Sequence, residues 1–164
     1  MSVLLDEGTL QQHIENILKP AYQRRHSILM SAVRRHLLPL GVRVQGVNDN
    51  ELAENQADEA EQKQVFGGYF IWLLLPTSIS ATTLASRCLE EENLVIASGH
   101  LFEVQGDTSL QFQNEARLCF AWEGENELQE GVERMGRALR GMVNGTGDGA
   151  GVRSGGSINV GDFK

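Results

Sequence analysis

The strongest strand signal in the sequence is the run GGYFIWLLLP, which occupies residues 67–76. Aromatic and aliphatic side chains favour extended structure, and Pro76 ends the run because proline cannot donate to a sheet ladder. The apolar character is continuous, which predicts a strand buried on both faces. Around this strand the order of elements is helix, strand, strand, helix, strand, strand, helix. That order predicts an α+β domain with helices packed on a small, mostly antiparallel sheet.

A long helix is predicted ahead of that strand. Apolar residues recur at helical spacing from Thr9, which we expect to cap the helix, to about Leu37. The pair Lys19-Pro20 interrupts the pattern and predicts a kink or a break. Pro39 and Gly41 then mark the end of the helix.

The chain divides into one domain, residues 1–143, and a tail, residues 144–164. The long helix occupies residues 1–40, and the acidic stretch at residues 47–66 predicts a solvated loop because it has no apolar period. The tail is rich in glycine and serine, which predicts flexibility. The remaining predicted elements are strands at 42–44, 94–97 and 116–122, an extended segment at 102–104, and helices at 81–92 and 126–143.

The composition argues against several classes of function. The chain has 164 residues and a formal net charge of −8, so it lacks the basic surface of a nucleic-acid-binding protein. No apolar stretch is long enough to span a bilayer, and the N-terminus lacks the positive region of a secretory signal. The two cysteines, Cys88 and Cys119, form no motif and indicate a reducing compartment, so we expect a cytoplasmic protein.

Local motifs do not mark a cofactor or metal site. The run GTGDGA at residues 145–150 matches a loose dinucleotide-binding pattern, but it follows a helix and precedes the tail, instead of joining a strand to a helix. The four histidines have no ligand-like spacing. The three lysines, Lys19, Lys63 and Lys164, lie outside the apolar setting that favours a Schiff-base lysine.

Arg117 is the candidate binding residue, and it lies within the strand-like run 116–122. Because side chains alternate between the faces of a strand, Ala116, Leu118, Phe120 and Trp122 are expected to share a face and pack on the core. Arg117 then lies on the other face above small side chains, where its planar fork suits a carboxylate or a phosphate. An exposed strand arginine or an internal salt bridge is the alternative, and the strand taken alone favours that alternative.

Four segments, in order, carry a resemblance to a known family. They are Gly67–Leu73, Leu94–Gly99 with Phe102, Asn114 with Arg117–Glu123, and Leu128–Val132. Together they resemble the C-terminal part of class I/II aminotransferases, the fold-type I enzymes that depend on pyridoxal 5′-phosphate (PLP). The likeness covers about residues 3–143, and residues 1–40 resemble the helix that connects to the small domain of those enzymes.

The resemblance implies an aminotransferase small domain in which Arg117 binds the substrate α-carboxylate. It also implies that Phe70 lies near the substrate side chain and that Asn114 lies near Arg117. Gly68 would let the backbone approach the ligand closely. The implied ligands are the carboxylates of an amino acid and a 2-oxo acid. The apolar region Tyr69–Leu75 and the lack of a second obvious carboxylate-binding arginine favour aromatic or aliphatic substrates.

Family members hold PLP in a large domain, which carries the Schiff-base lysine and precedes this region. Nothing in the chain resembles that domain, so we expect the chain not to bind PLP covalently and to be inactive alone. An aminotransferase large domain or a homodimer partner is the implied protein partner, with neither nucleic acid nor membrane expected. Gly99 and Phe102 look structural. Two alternatives stay open: a non-enzymatic small domain that acts as a binding or interaction module, and an incomplete coding sequence.

Overall fold

Helices packed on a four-stranded sheet make up the described part of the chain. The structure is a computed structural model, in which the described residues are 8–47, 68–107, 109 and 111–145. The strands are β1 (Arg43–Val44), β2 (Phe70–Leu74), β3 (Ala97–Ser98) and β4 (Glu115–Cys119). Their spatial order is β1-β2-β4-β3, and each neighbouring pair is antiparallel. The predicted α+β class is therefore confirmed.

The register of the sheet fixes the position of Arg117. Arg117 of β4 lies opposite Trp72 of β2 and, on the other side, opposite Ala97 of β3. Phe70 of β2 pairs with Cys119, two residues further along β4. Arg117 is therefore flanked by neighbouring strands on both sides.

The long N-terminal helix is continuous, although its hydrogen bonding changes along its length. It comprises α1 (Thr9–His13), a π-helical turn (Ile14–Leu18) and α2 (Lys19–His36). The Lys19 N–H donates to the Ile14 carbonyl, five residues back, so the disturbance expected at Lys19-Pro20 appears as this turn and not as a break. Gly8 precedes α1 with a φ of 68°, and Thr9 lies inside the helix, so the expected Thr9 cap is wrong.

Two further helices complete the layer on the core side of the sheet. They are α3 (Ala81–Glu92), which matches its predicted bounds, and α4 (Glu125–Gly145). The N-terminal helix and α3 both pack on α4. The centre of the core includes six aliphatic residues with an exposed fraction of 1% or less: Leu29, Val33, Leu37, Leu73, Leu84 and Leu139. No helix in residues 8–47, 68–107 or 111–145 has the length and apolar character needed to cross a bilayer.

The sheet is buried on one face only, which corrects the expectation of burial on both. Ile71 and Leu73 of β2 are buried in the core, whereas Trp72 is half-buried and Phe70 is 42% exposed. Trp122 is 86% exposed because β4 ends at Cys119, so the predicted core face does not extend that far. The second face therefore carries Arg117 and a group of aromatic side chains.

Two other expectations change in detail. The strand predicted at 94–97 is shifted to β3, and the segment predicted as extended at 102–104 follows a 3₁₀ turn (Gly99–Phe102). Helix α4 extends to Gly145. The rest of the predicted tail, and the acidic loop apart from Val47, lie outside the described residues.

Candidate functional site

The guanidinium of Arg117 lies against two aromatic rings. Its Cζ atom is 4.0 Å from the centroid of Phe70 and 3.7 Å from the centroid of Phe102. Phe70 comes from β2 and Phe102 from the 3₁₀ turn after β3, so the rings approach from opposite sides of β4. Such contacts are attractive because the ring face carries partial negative charge. A ring contact of this kind engages the face of a guanidinium and does not use the N–H donors at its edge.

Arg117 has no acidic partner within the described residues. Every ion pair found there involves a helical arginine, and none involves Arg117. Glu115 shares the same face of β4 two residues earlier, yet it does not pair with Arg117, and its Oε2 atom is buried without a hydrogen-bond partner. Burial raises the pKa of this carboxyl. The guanidinium charge is therefore not neutralised by a neighbouring carboxylate.

Arg117 and Phe70 border a groove of ≈ 390 Å³ between β4 and the first half of α4. The inner wall is apolar and includes Leu118 of β4 and Val132 of α4. At the outer wall, Val95 is 74% exposed and Trp122 is 86% exposed. Besides Arg117, the charged residues that line the groove are Glu123 and Glu127. The groove thus offers one cation, two acids and apolar walls.

Gly68 and Asn114, the other two predicted site residues, have surroundings that differ from those of Arg117 and Phe70. Gly68 has a φ of 82°, a left-handed conformation that favours glycine, and a Cβ atom built there would meet nothing within 4 Å. The Nδ2 atom of Asn114 donates to the carbonyl of Ile79 over 2.6 Å and to that of Thr77 over 3.3 Å. Its amide therefore fixes the turn between β2 and α3. A role for either residue in substrate binding stays a prediction.

Phe102 is the site residue that sequence reasoning missed, because it looked structural. Its contact with Arg117 depends on the pairing of β3 with β4 and on the 3₁₀ turn, neither of which leaves a local pattern in the sequence. Trp72 packs edge-on to Phe102 with the ring centroids 5.4 Å apart. Trp72 also lies 5.5 Å from Phe112. The two rings on Arg117 thus belong to a larger aromatic group on the open face.

The long helix supports the ends of β2 and β4. Arg25 donates from Nη1 to the carbonyl of Ala121 over 2.5 Å. His26 packs edge-on to Phe120, with the centroids 5.3 Å apart. Burial lowers the pKa of His26, and the charge of Arg34 lowers it further. These contacts fix the chain just after the strand that carries Arg117.

The residues at the groove suit a carboxylate ligand. Lys19 is the one lysine among the described residues, and it is exposed on the long helix, away from the groove. In the same residues there is also no group of three histidine, cysteine, aspartate or glutamate side chains that could hold a metal ion. A bidentate anion suits the edge of the Arg117 guanidinium, and no lysine is among the described residues that line the groove.

Comparisons with solved structures identify aminotransferases. LysN, the α-aminoadipate aminotransferase of Thermus thermophilus, matches with a TM-score of 0.64 and 29% identity, over 86% of this chain and 30% of that chain. Kynurenine aminotransferase of Pyrococcus horikoshii matches with a TM-score of 0.63 and 24% identity, over 85% of this chain and 28% of that chain. The match to kynurenine aminotransferase shows that the two chains share a fold.

Sequence comparisons agree. A 2-aminoadipate transaminase of Thermus thermophilus is 38% identical over 77 residues, which are 47% of this chain and 18% of that protein. An uncharacterised protein of Saccharomyces cerevisiae is 26% identical over 137 residues, which are 84% of this chain and 26% of that protein. No protein-family model matches the chain.

The class that these findings define is the fold-type I, PLP-dependent aminotransferases, as the sequence resemblance implied. This chain is similar to one part of those enzymes and spans about 30% of the length of LysN.

Proposed function

We propose that this chain is the carboxylate-binding small domain of an aminotransferase that moves an amino group between an amino acid and a 2-oxo acid. Arg117 binds the α-carboxylate of the substrate in this proposal. The observation that carries it is the guanidinium itself, which is held by two rings and has no acidic partner in the described part of the chain. An arginine on the open face of a sheet with a free edge is suited to bidentate binding of an anion.

The residues of this chain would bind and orient the substrate. Two parallel N–H···O bonds from Arg117 fix the plane of the carboxylate, and that reduces the freedom of the reacting centre. Phe70 borders the groove beside Arg117, where it can contact the substrate side chain. PLP, when bound in the complete enzyme, supplies an electron sink. The chain does not bind PLP covalently and is inactive alone, so a large domain or a homodimer partner supplies the rest of the site.

The walls of the groove favour an aromatic or aliphatic substrate side chain. They are formed largely by apolar residues, and the two other charged groups, Glu123 and Glu127, would repel a second carboxylate. LysN was crystallised with N-(5′-phosphopyridoxyl)-L-leucine, which carries an aliphatic side chain. For this chain we therefore expect 4-methyl-2-oxopentanoate to bind more tightly than 2-oxoadipate.

Titration of the labelled full-length chain with 4-methyl-2-oxopentanoate tests the role of Arg117. We expect Arg117→Gln to weaken binding at least about tenfold, because a charge-assisted bidentate pair is lost. Arg140→Gln is the matched control, since it removes the same charge from an exposed position on α4. Equal weakening in both variants, or none in Arg117→Gln, would contradict the proposal.

A mass measurement tests the expectation that PLP is not bound covalently. After incubation with PLP and reduction with borohydride, the full-length chain should show no stoichiometric mass increase at a single lysine. A stoichiometric adduct at Lys19, Lys63 or Lys164 would refute the expectation that the Schiff-base lysine lies elsewhere.

A non-enzymatic binding module is the second candidate function. Exposed Val95 and Trp122 at the outer wall of the groove favour it, because exposed apolar side chains that lie together often mark an interaction surface. A monodisperse, cooperatively folding product of the 164-residue chain would favour the module. An aggregating product, together with an in-frame large domain in the DNA upstream of Met1, would favour the enzyme fragment.

A further inference from the structure

Arg117 is held in position by side chains that cannot themselves bind a carboxylate. The two rings on its guanidinium, Phe70 and Phe102, are named here the aromatic clamp. Phe102 is half-buried and Phe70 is 42% exposed, so the outer ring faces solvent while the inner ring belongs to the packed aromatic group. We propose that Phe102 is a positioning residue, which with Phe70 fixes the plane of the Arg117 guanidinium before any ligand binds.

Phe102 is itself fixed from behind. Trp72 packs edge-on against it at 5.4 Å, and Trp72 lies directly opposite Arg117 in the β2–β4 register. The start of the 3₁₀ turn is also closely packed, since a Cβ atom at Gly99 would lie 2.5 Å from both the Cβ and the carbonyl oxygen of Phe112. Phe102 therefore has little freedom to move away from Arg117.

The clamp replaces the acidic partner that usually orders an arginine. A carboxylate neighbour would order the guanidinium but would occupy its N–H groups, whereas a ring contacts its face and leaves its edge free. An arginine ordered in advance loses less conformational freedom when it binds an anion. The inference rests on the proposed function for its ligand, while the ordering of Arg117 in the free protein does not depend on that function.

The test measures the guanidinium directly in the ¹⁵N-labelled full-length chain. The Nε–Hε resonance of Arg117 is assigned by its loss in Arg117→Lys. Ring currents from the clamp displace this resonance in the wild type. We expect Phe102→Leu to shift it towards the position shown by the exposed Arg140, and Phe102→Tyr, which keeps the ring, to leave it in place.

Phe112→Leu is the matched control. Phe112 contacts Trp72 at 5.5 Å, much as Phe102 does, but it is not in contact with Arg117. This variant should leave the Arg117 resonance unchanged. With 4-methyl-2-oxopentanoate as the probe, Phe102→Leu should weaken binding about tenfold, because an arginine that is not ordered in advance loses more conformational freedom on binding, and Phe102→Tyr should restore it.

Equal displacement of the resonance by Phe102→Leu and Phe112→Leu would overturn the inference, as would a shift in Phe102→Tyr as large as that in Phe102→Leu. If Phe102→Leu does not fold, Phe70→Leu serves instead, because its ring is 42% exposed and adds little to the core. An unshifted Arg117 resonance in that variant would likewise overturn the clamp. Failure of the wild type to bind the probe would count against the proposed function. The position of the Arg117 resonance in the free protein would still test the aromatic clamp, because that measurement needs no ligand.

Discussion

Arg87 and Arg137 on the helices and Arg117 in β4 have opposite surroundings. On the helical side, Arg137 donates from Nη2 to Oε2 of Glu92 at 2.8 Å, and Arg87 donates from Nε to Oε1 of Glu91 at 2.8 Å. On the open face of the sheet, Arg117 contacts two rings and pairs with no acid among the described residues. The difference shows that Arg117 keeps N–H donors for a ligand, whereas Arg87 and Arg137 already direct theirs to a carboxylate.

The largest expected effect comes from disturbing the turn that carries Phe102. Gly99→Ala places a Cβ atom 2.5 Å from the backbone oxygen of Phe112 and 2.9 Å from that of Glu115, so the backbone must shift. We expect a loss of about 3 kcal/mol in the free energy of unfolding, measured in urea, together with displacement of Phe102 from Arg117.

Gly131→Ala is the control for that substitution. Its Cβ atom would meet Leu94 Cδ1 at 3.6 Å, an ordinary contact, and alanine is the better helix former in α4 by roughly 1 kcal/mol. The control should therefore be slightly stabilising. A similar loss of stability in both variants would show that the turn is not closely packed.

An effect of intermediate size is expected when the ion pair of Arg137 and the ring contacts of Arg117 are compared at two salt concentrations. Arg137→Gln should lower the free energy of unfolding slightly at low ionic strength, and by almost nothing in 1 M NaCl, because exposed ion pairs are screened. The effect of Arg117→Gln should be the same at both salt concentrations, because no ion pair is lost. A salt-dependent effect at Arg117 would remove the contrast between the two regions.

The smallest expected effect is the pH dependence of stability that comes from Glu92 on the helical side and Glu115 in β4. A hydrogen bond from Arg137 lowers the pKa of Glu92 below its ordinary value of 4.5, whereas burial raises that of Glu115 above 4.5. The stabilisation from Glu92 is complete above pH 4.5 and is lost as the pH falls through its lowered pKa. For Glu115 the folded state holds the proton more tightly, so stability falls as the pH rises from 4.5 through the raised pKa.

Urea unfolding of Glu92→Gln and Glu115→Gln across pH 3–7 measures these opposite signs. Relative to the wild type, Glu92→Gln should be least stable at neutral pH, and Glu115→Gln should gain stability there. Parallel curves for the two variants would show that the acids share one environment.

The sequence predicts the elements of this fold better than it predicts their contacts. Helix α3 matches its predicted bounds because Leu84 and Cys88, four residues apart, both face the core. Arg117 lies in a strand as expected, since the alternation of Ala116 with Arg117 is local. The family resemblance supplied the role of Arg117, which the strand pattern alone did not favour.

The failures follow from pairing across the sheet. The apolar residues before β3 looked like a strand, but only Ala97 and Ser98 pair with β4. The continuous apolar run in β2 appeared buried on both sides, whereas one face carries aromatic residues that contact each other and Arg117. Phe102 and Arg117 are brought together by the strand order β2-β4-β3, which no local spacing encodes. Contacts of this kind depend on tertiary arrangement more than on propensity.

The π-helical turn at Ile14–Leu18 determines the direction of every side chain before it. It holds one residue more than an α-helical turn, and each residue rotates a helix by about 100°. Leu10, which precedes the turn, is 41% exposed. Removal of a single residue from the turn would restore a uniform helix and swing Leu10 by more than a quarter of a circle around the axis. The one extra residue in the π-helical turn therefore sets the direction in which the side chains of the first helical residues point.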